Sequence, residues 1–155
     1  TSVNAIHLYR VAHWFYQKRI PLVPTLMRNL IFLIFNSYIP PSAYIGRGTV
    51  FAYGAIGVVL HADARIGHGC VIGQGVTIGA SEAYVSREKH RCPTIGDHCY
   101  IGAGAKILGD IVIGDHCQIG AGAVVIKDVP GHAIVVGVPA RVVGQTSPSF
   151  LAIRP

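Results

Sequence analysis

The sequence predicts a mainly β protein, a single-stranded parallel β-helix of hexapeptide repeats preceded by a short helical segment. The first observation is an eleven-residue block that occurs twice: 95–105 reads IGDHCYIGAGA and 113–123 reads IGDHCQIGAGA. The second is that aliphatic residues recur at every sixth position, which is neither a helical period nor strand alternation. Three six-residue units close one triangular coil of eighteen residues, the offset between the two blocks. Each block therefore lies about 4.8 Å above its copy.

The six-residue phase can be followed through most of the chain. It slips once, between 51 and 60, and breaks once, over 79–93. The residue four places after each aliphatic is small or branched, as a tight corner requires. The predicted inward residues are Ile39, Ile45, Phe51, Leu60, Ile66, Ile72, Ile78, Ile95, Ile101, Ile107, Ile113, Ile119 and Val125, and the predicted corner residues are Ala43, Thr49, Ala64, Cys70, Val76, Cys99, Ala105, Ile111, Cys117 and Ala123.

The pattern divides the chain into three regions, because the hexapeptide phase is confined to the middle. Pro139, Pro148 and Pro155 argue against a long helix near the end of the chain. The regions are an N-terminal helical segment at 1–36, the β-helix at 37–130 with an excursion loop at 79–94, and a C-terminal tail at 131–155.

The N-terminal segment is expected to form two helices. Pro21 and Pro24 divide it, and we expect Thr25 to cap a second helix over 26–35. That helix is strongly apolar, so 22–36 either packs against the coil or a partner subunit, or contacts a membrane surface. Its longest apolar run is far shorter than the roughly 20 residues that a membrane span needs.

Charge and cysteine content argue against several classes of function. The net charge is +6, but the basic residues are scattered rather than clustered with aromatic ones, so we expect no nucleic acid partner. No signal-peptide pattern opens the sequence, and we expect a cytoplasmic protein. The four cysteines form no CxxC pair and three of them fall at corner positions. We therefore predict small buried thiols and no metal.

Three stretches of the chain carry a resemblance to a known family, and the first is YRVAHWFYQKRI at 9–20. The run 101–144 contains VGVPAR at 136–141, and 45–67 contains FAYG followed by VVLH. These motifs resemble the hexapeptide acyltransferases, most of all the serine acetyltransferase-like branch and its short subgroup with the FAYG and VVxH pattern. The resemblance implies a left-handed β-helix, an exception to the right-handed crossover rule. It also implies a homotrimer, with acetyl-CoA as co-substrate in grooves between neighbouring coils.

The same resemblance implies a set of residues that bind acetyl-CoA. Small residues on the coil wall let backbone groups reach the polar pantetheine arm, and basic side chains contact the nucleotide phosphates. The implied cofactor-binding residues are Ala103, Gly104, Lys106, Ala121, Gly122, Lys127, Pro139 and Arg141.

Acetyl transfer from a thioester to a hydroxyl needs a base that works near neutral pH, and histidine suits this task. Of the eight histidines, His68, His98 and His116 fall just before a corner and are expected to be turn residues. His61 follows the phase slip, and His90 lies in the charged excursion. We therefore predict His61 as the catalytic base, with His90 assisting it or binding the acceptor.

Three positions depart from the serine acetyltransferase pattern. Ala52-Tyr53 stands where that branch carries an Asp-His pair, Tyr38 stands at an aspartate, and Cys92 stands at the histidine of an Arg-His-Pro motif. We predict that Tyr53 binds the acceptor or orients the base. The lost aspartates favour a sugar or polysaccharide precursor as acceptor, with L-serine as the alternative.

The predicted function is therefore acetyl-CoA-dependent O-acetyl transfer to a small-molecule hydroxyl. A metal-dependent hydratase on the same kind of coil is disfavoured because its His-x4-His pair is absent. A non-catalytic trimeric scaffold is the third hypothesis, and the replaced Asp-His pair is its main support.

Overall fold

The computed structural model describes residues 3–80 and 92–149, and the fold in these ranges is two helices followed by short strands. The helices are α1 (Ala5–Gln17) and α2 (Val23–Phe35), and a 3₁₀ turn covers Ala52–Ala55. The strands are β1 (Tyr44–Ile45), β2 (Val50–Phe51), β3 (Val59–Leu60), β4 (Arg65–Ile66), β5 (Val71–Ile72), β6 (Thr77–Gly79), β7 (Thr94–Ile95), β8 (Tyr100–Ile101), β9 (Lys106–Leu108), β10 (Val112–Ile113), β11 (Gln118–Ile119), β12 (Val124–Val125), β13 (Ala133–Val136) and β14 (Arg141–Gln145).

The strands form three faces, because each of β1 to β9 pairs in parallel with the strand three places further along the chain. Face A has the order β1-β4-β7-β10, and face C has the order β12-β9-β6-β3. Face B has the order β14-β13-β11-β8-β5-β2. Ile101 pairs with Ile119, the predicted offset of one coil. Ile66 pairs with Ile95 in the same way, so the inward residues keep their register across the break in the hexapeptide phase.

The interior is filled by the predicted column of aliphatic side chains. Every predicted inward residue from Ile39 to Val125 is at most 3% exposed. The ten predicted corner residues are buried as well. The six-residue phase is therefore confirmed along its whole length, including the stretch after the slip.

The turns between the faces stack into three columns, which we call the first, second and third corners. The slip is absorbed by the 3₁₀ turn at the second corner. The first corner comprises 46–49, 67–70, 96–99, 114–117 and 131–132; the second comprises 52–58, 73–76, 102–105 and 120–123; the third comprises, among the described residues, 61–64, 80, 92–93, 109–111 and 126–128.

A ladder of small donors runs up the inside of the first corner. Thr49 Oγ1 donates to the carbonyl oxygen of Gly67 at 2.7 Å. Cys70, Cys99 and Cys117 repeat this contact with their thiols, each at 3.1–3.2 Å from a carbonyl of the next coil. All four cysteines of the chain lie in the described ranges and all are free thiols. The prediction of small buried thiols is therefore confirmed for the three corner cysteines.

Helix α1 is attached to the first coil by polar side chains. Asn4 caps the helix by accepting from the Ile6 N–H at 3.1 Å, and its amide donates to the Phe51 carbonyl at 2.8 Å. The Tyr9 hydroxyl donates to the Ala43 carbonyl at 2.6 Å, and Arg10 donates to the carbonyls of Ile45 and Gly46. These bonds hold α1 across the first coil.

Helix α2 begins earlier than predicted, and Thr25 does not cap it. Leu22 occupies the N-cap position, and Pro24 lies in the first turn. The fixed φ of proline suits that turn, so the two prolines lead into the helix instead of delaying its start. Within the described ranges, no helix has the length and apolar character needed to cross a bilayer.

The tail differs from the prediction because it continues the coil. Strand β13 pairs in parallel with β11, and β14 folds back antiparallel on β13. Ala133 and Val135 are buried on the inward side of β13. The core is therefore extended here by inward and outward side chains that alternate along a strand, and not by the hexapeptide phase.

Candidate active site

The second corner forms a wall of small residues on neighbouring coils. Gly104 and Gly122 both have a positive φ, and their N–H groups donate to the turn one coil below. A Cβ added at either glycine would meet no heavy atom of the described residues within 4 Å. Ala103 and Ala121 precede them, so four of the predicted cofactor-binding residues form one open column.

Three further predicted cofactor-binding residues lie beside this wall. The Lys106 ammonium donates to the Gly104 carbonyl at 3.3 Å. Pro139 lies between Gly137, whose carbonyl accepts from the Val124 N–H, and Ala140, whose N–H donates to the Val124 carbonyl. Arg141 follows at the start of β14. Lys127, in contrast, lies at the third corner, so a single chain does not bring it to this wall.

The third corner brings together His61, Cys92 and Asp63. Cys92 Sγ lies 2.9 Å from His61 Nδ1. The backbone N–H of Asp63 donates to the same nitrogen at 3.2 Å, and its carboxylate lies 3.8 Å away. Because Nδ1 accepts a backbone hydrogen bond, the neutral imidazole carries no proton there. The lone pair of Nδ1 is therefore the basic site of this cluster.

The Cys92 thiol is electrically neutral near pH 7. Burial, followed by the negative charges of Asp63 and Asp110, raises the pKa of Cys92 to about 11. A neutral thiol can donate to an unprotonated imidazole nitrogen, so Cys92 acts as the donor to His61 Nδ1. The arrangement is a hydrogen-bonded pair and not a thiolate–imidazolium ion pair.

A cleft of about 450 Å³ opens beside this cluster. Its lining includes the side chains of Tyr44, Asp63, Arg65, Cys92 and Asp110. The lining is predominantly polar, so the cleft suits a small hydrophilic molecule.

Two other predicted site residues, Tyr53 and His90, are not part of the cluster around His61. Tyr53 lies at the second corner, with φ +51° and 77% of its surface exposed, whereas His61 lies at the third. One chain therefore does not bring the two together. His90 lies outside the described residues. Cys92 was not predicted as a site residue. The signal that could have identified it is its position, because it stands where the related branch carries the histidine of an Arg-His-Pro motif.

The predicted turn histidines are confirmed as a separate structural feature of the first corner. His98 and His116 have positive φ values, as does His132 on the next coil. The three imidazoles stack, with centroids 5.1 and 4.9 Å apart. The His68 ring accepts from the Arg47 N–H at 3.0 Å in the coil below. These histidines hold turns together and lie on a different edge from His61.

Comparison with known proteins identifies the repeat. Residues 92–127 match the bacterial transferase hexapeptide model of six repeats. Over 140 residues the chain is 44% identical to the serine acetyltransferase of Synechococcus elongatus, covering 90% of this chain and 56% of that protein. It is also 44% identical to the serine acetyltransferase of Mycobacterium tuberculosis, covering 96% of this chain and 63% of that protein.

The chain belongs to the hexapeptide-repeat transferases, in the serine acetyltransferase-like branch.

Solved structures agree with this membership in the hexapeptide-repeat family. The chain superposes on serine acetyltransferase from Brucella abortus in complex with coenzyme A with a TM-score of 0.84 at 38% identity, covering 92% of this chain and 56% of that one. A serine acetyltransferase in complex with cysteine gives a TM-score of 0.83 at 36% identity, covering 97% and 58%. The predicted left-handed β-helix is confirmed. The hexapeptide-repeat chain described here spans little more than half the length of these relatives.

Proposed function

We propose that this protein is an acetyl-CoA-dependent O-acetyltransferase that acts on the hydroxyl of a small polar acceptor. The observation that carries the proposal is the likeness, over 92% of the chain, to a serine acetyltransferase that holds coenzyme A. A scaffold role would not require the open wall at Gly104 and Gly122 or the basic nitrogen at the third corner.

The second corner is the proposed binding surface for acetyl-CoA. The bare backbone of Gly104 and Gly122 permits hydrogen bonds with the amides of the pantetheine arm. Lys106 and Arg141 are proposed to contact the phosphates, since both cations lie near this wall. Ala103, Ala121 and Pro139 complete the surface through van der Waals contact.

His61 is the proposed general base. The acceptor oxygen attacks the carbonyl carbon of the thioester while its proton passes to His61 Nδ1. The C–S bond of the thioester then breaks, and the imidazolium of His61 returns the proton to the leaving coenzyme A thiolate. Asp63, 3.8 Å from Nδ1, stabilises the imidazolium that forms. The acceptor hydroxyl takes the place of the Cys92 thiol at Nδ1 in this step. His90 stays a proposed assistant, and a backbone N–H of the coil is proposed to stabilise the oxyanion.

A homotrimer is proposed because the pieces of the site lie on different corners of one chain. Tyr53 and the small-residue wall are at the second corner, whereas His61 and Lys127 are at the third. A neighbouring copy that presents its third corner to this chain's second corner would join them. Exposed apolar side chains on α2, including Leu26 and Leu33, are proposed to contact a partner copy or a membrane surface.

The acceptor is proposed to be L-serine or a sugar hydroxyl. The relatives named as serine acetyltransferases favour serine. Tyr38 and the Ala52-Tyr53 pair favour a different acceptor, because the aspartates of the serine acetyltransferase pattern are absent at these positions. The free cysteines fit the reducing cytoplasm, which is the proposed compartment.

The test is release of free coenzyme A from acetyl-CoA by the purified protein, with L-serine and a panel of free and nucleotide-linked sugars. His61→Ala is expected to lower kcat by about 10²–10⁴-fold, the usual contribution of a general base. His132→Asn is the matched control, because asparagine tolerates the positive φ of this turn.

The outcomes separate the hypotheses. Unchanged turnover in His61→Ala would show that another group is the base. Failure of the wild-type protein to bind coenzyme A would overturn the enzymatic proposal and favour the scaffold.

A further inference from the structure

The third corner holds three different metal-ligating side chains at close range. His61 offers an imidazole nitrogen, Asp63 a carboxylate and Cys92 a thiol, and among the described residues these are the ones whose ligand atoms converge, all within 4.8 Å of one another. They come from two turns that are adjacent in the stack and distant in sequence. Mixed nitrogen, oxygen and sulfur donors are typical of zinc sites.

The distances are close to those that a tetrahedral zinc ion imposes. Bond lengths near 2.0–2.3 Å place two ligand atoms about 3.4–3.6 Å apart. Cys92 Sγ and His61 Nδ1 are 2.9 Å apart, and His61 Nδ1 and Asp63 Oδ2 are 3.8 Å apart. Both pairs would have to adjust: the first would open by roughly 0.5–0.7 Å and the second would close by roughly 0.2–0.4 Å. Asp63 is 55% exposed and can make that shift at little cost.

The electrostatics of the cleft favour a cation. Asp63 and Asp110 both line the cleft together with Cys92, so two carboxylates lie around the thiol. A divalent ion would neutralise the two carboxylates and stabilise the thiolate that it binds. Arg65 also lines the cleft, as a competing positive charge.

We propose that His61, Asp63 and Cys92 bind a zinc ion, with Asp110 or water as the fourth ligand. The ion takes over the Nδ1 lone pair that now accepts from the Cys92 thiol and the Asp63 N–H. Because the same lone pair is the proposed base, zinc-loaded protein cannot accept the acceptor proton. Zinc is therefore a reversible inhibitor of the transferase; this consequence rests on the proposed function, whereas the binding itself does not.

The test measures binding without reference to activity. The full chain, stripped with a chelator, is titrated with Zn²⁺ against a chromophoric chelator and with Co²⁺ by absorption spectroscopy. One ion per chain is expected, and the Co²⁺ complex should show a thiolate charge-transfer band. Cys92→Ser should remove that band and weaken Zn²⁺ binding at least 10-fold, and Asp63→Asn should weaken it to a smaller extent.

The matched control is Cys117→Ala, which removes a buried thiol at the first corner, away from His61; alanine occupies the equivalent position of the second corner at Ala105 and Ala123. It should bind zinc as the wild type does. Absence of a one-to-one site in the wild type, or unchanged binding in Cys92→Ser, would overturn the proposal. Circular dichroism of each variant separates loss of binding from loss of fold.

Activity then tests the inhibition separately. Added Zn²⁺ should lower turnover of the wild type in step with site occupancy, and a chelator should restore it. Tight zinc binding by a protein that never turns over would leave the metal site intact and overturn the proposed transferase instead. Turnover unaffected at full occupancy would overturn the inhibitory role.

Discussion

At the residue scale, positive-φ turn positions explain why histidine recurs at the first corner. His98, His116 and His132 adopt a backbone conformation that most side chains avoid, and stacking of their rings compensates for part of the strain. Asp97 and Asp115 in the same turns accept backbone N–H bonds at 2.7 Å from the coil below. The Asp-His pair of the repeat is thus structural, and its recurrence says nothing about catalysis.

A single buried hydroxyl links the stability of the helical segment to pH. Burial raises the pKa of Tyr9 from 10.0 to about 12 despite the nearby Arg10. A raised folded-state pKa means that the stabilisation is complete below pH 10 and is lost as the pH rises through 12. Wild-type stability should therefore fall across that window by roughly 2–3 kcal/mol from this group alone.

Tyr9→Phe should remove that alkaline component. At pH 7 it should cost about 1–3 kcal/mol, because the Ala43 carbonyl loses its 2.6 Å hydrogen bond. Urea unfolding at pH 7, 10 and 11.5 measures both effects. An unchanged alkaline slope in Tyr9→Phe would contradict the assignment.

At the scale of elements, the two-residue strands are stable because each coil lies directly on the next. Glycine follows many inward aliphatic residues since the backbone of the adjacent coil fills the space of a side chain. A Cβ at Gly102 would lie 2.5 Å from the Ala121 nitrogen, whereas a Cβ at Gly79 would meet, among the described residues, only the end of the Leu108 side chain at 3.6 Å. Gly102 and Gly79 occupy the same position of the repeat, but only Gly79 leaves room for a side chain among the described residues.

Gly102→Ala should therefore destabilise the protein by about 1–3 kcal/mol or more, as overpacking does. Gly79→Ala, its matched control, should lie within about 1 kcal/mol of the wild type and can be stabilising through the unfolded chain. Chemical unfolding of both variants is the measurement. Equal effects would show that stacking between coils is looser than the structure indicates.

At the scale of the whole molecule, separation of the second and third corners makes the proposed site depend on a second copy. Tyr53 and His61 belong to different corners, so each interface in the proposed trimer would use one residue from each of two chains. The number of working sites then depends on how chains are combined.

This arrangement predicts complementation between inactive variants. Tyr53→Ala and His61→Ala should each have little activity, but co-refolded at equal amounts they should regain turnover. About a quarter of randomly formed interfaces would carry both native residues. Turnover of the mixture no higher than the sum of the two variants would place both residues on one chain's site or outside the site.

The sequence by itself determined the coil, because each wall and each corner is specified by residues within a single six-residue unit. An aliphatic residue at every sixth position and a small residue four places later define each wall and corner, and the interior of the structure follows them from Ile39 to Val125. Histidines at the turns could be separated from His61 in the same way, because they fall in phase just before a corner. The small-residue wall at the second corner, in contrast, was implied by the resemblance to the acyltransferase family.

Only the tertiary structure decided what meets at the third corner. Cys92 and His61 are 31 positions apart with the excursion between them, and stacking of one coil on the next brings their side chains together. No local sequence pattern predicts the contact of Cys92 with His61, or that Asp63 lies close to both. The continuation of the coil into β13 was also missed, because alternation with a returning antiparallel strand replaces the hexapeptide phase there. The spacing of aliphatic residues specifies which side chains face inward. The contact of Cys92 with His61, in contrast, depends on which residue follows the break in the hexapeptide phase, and the spacing does not specify that.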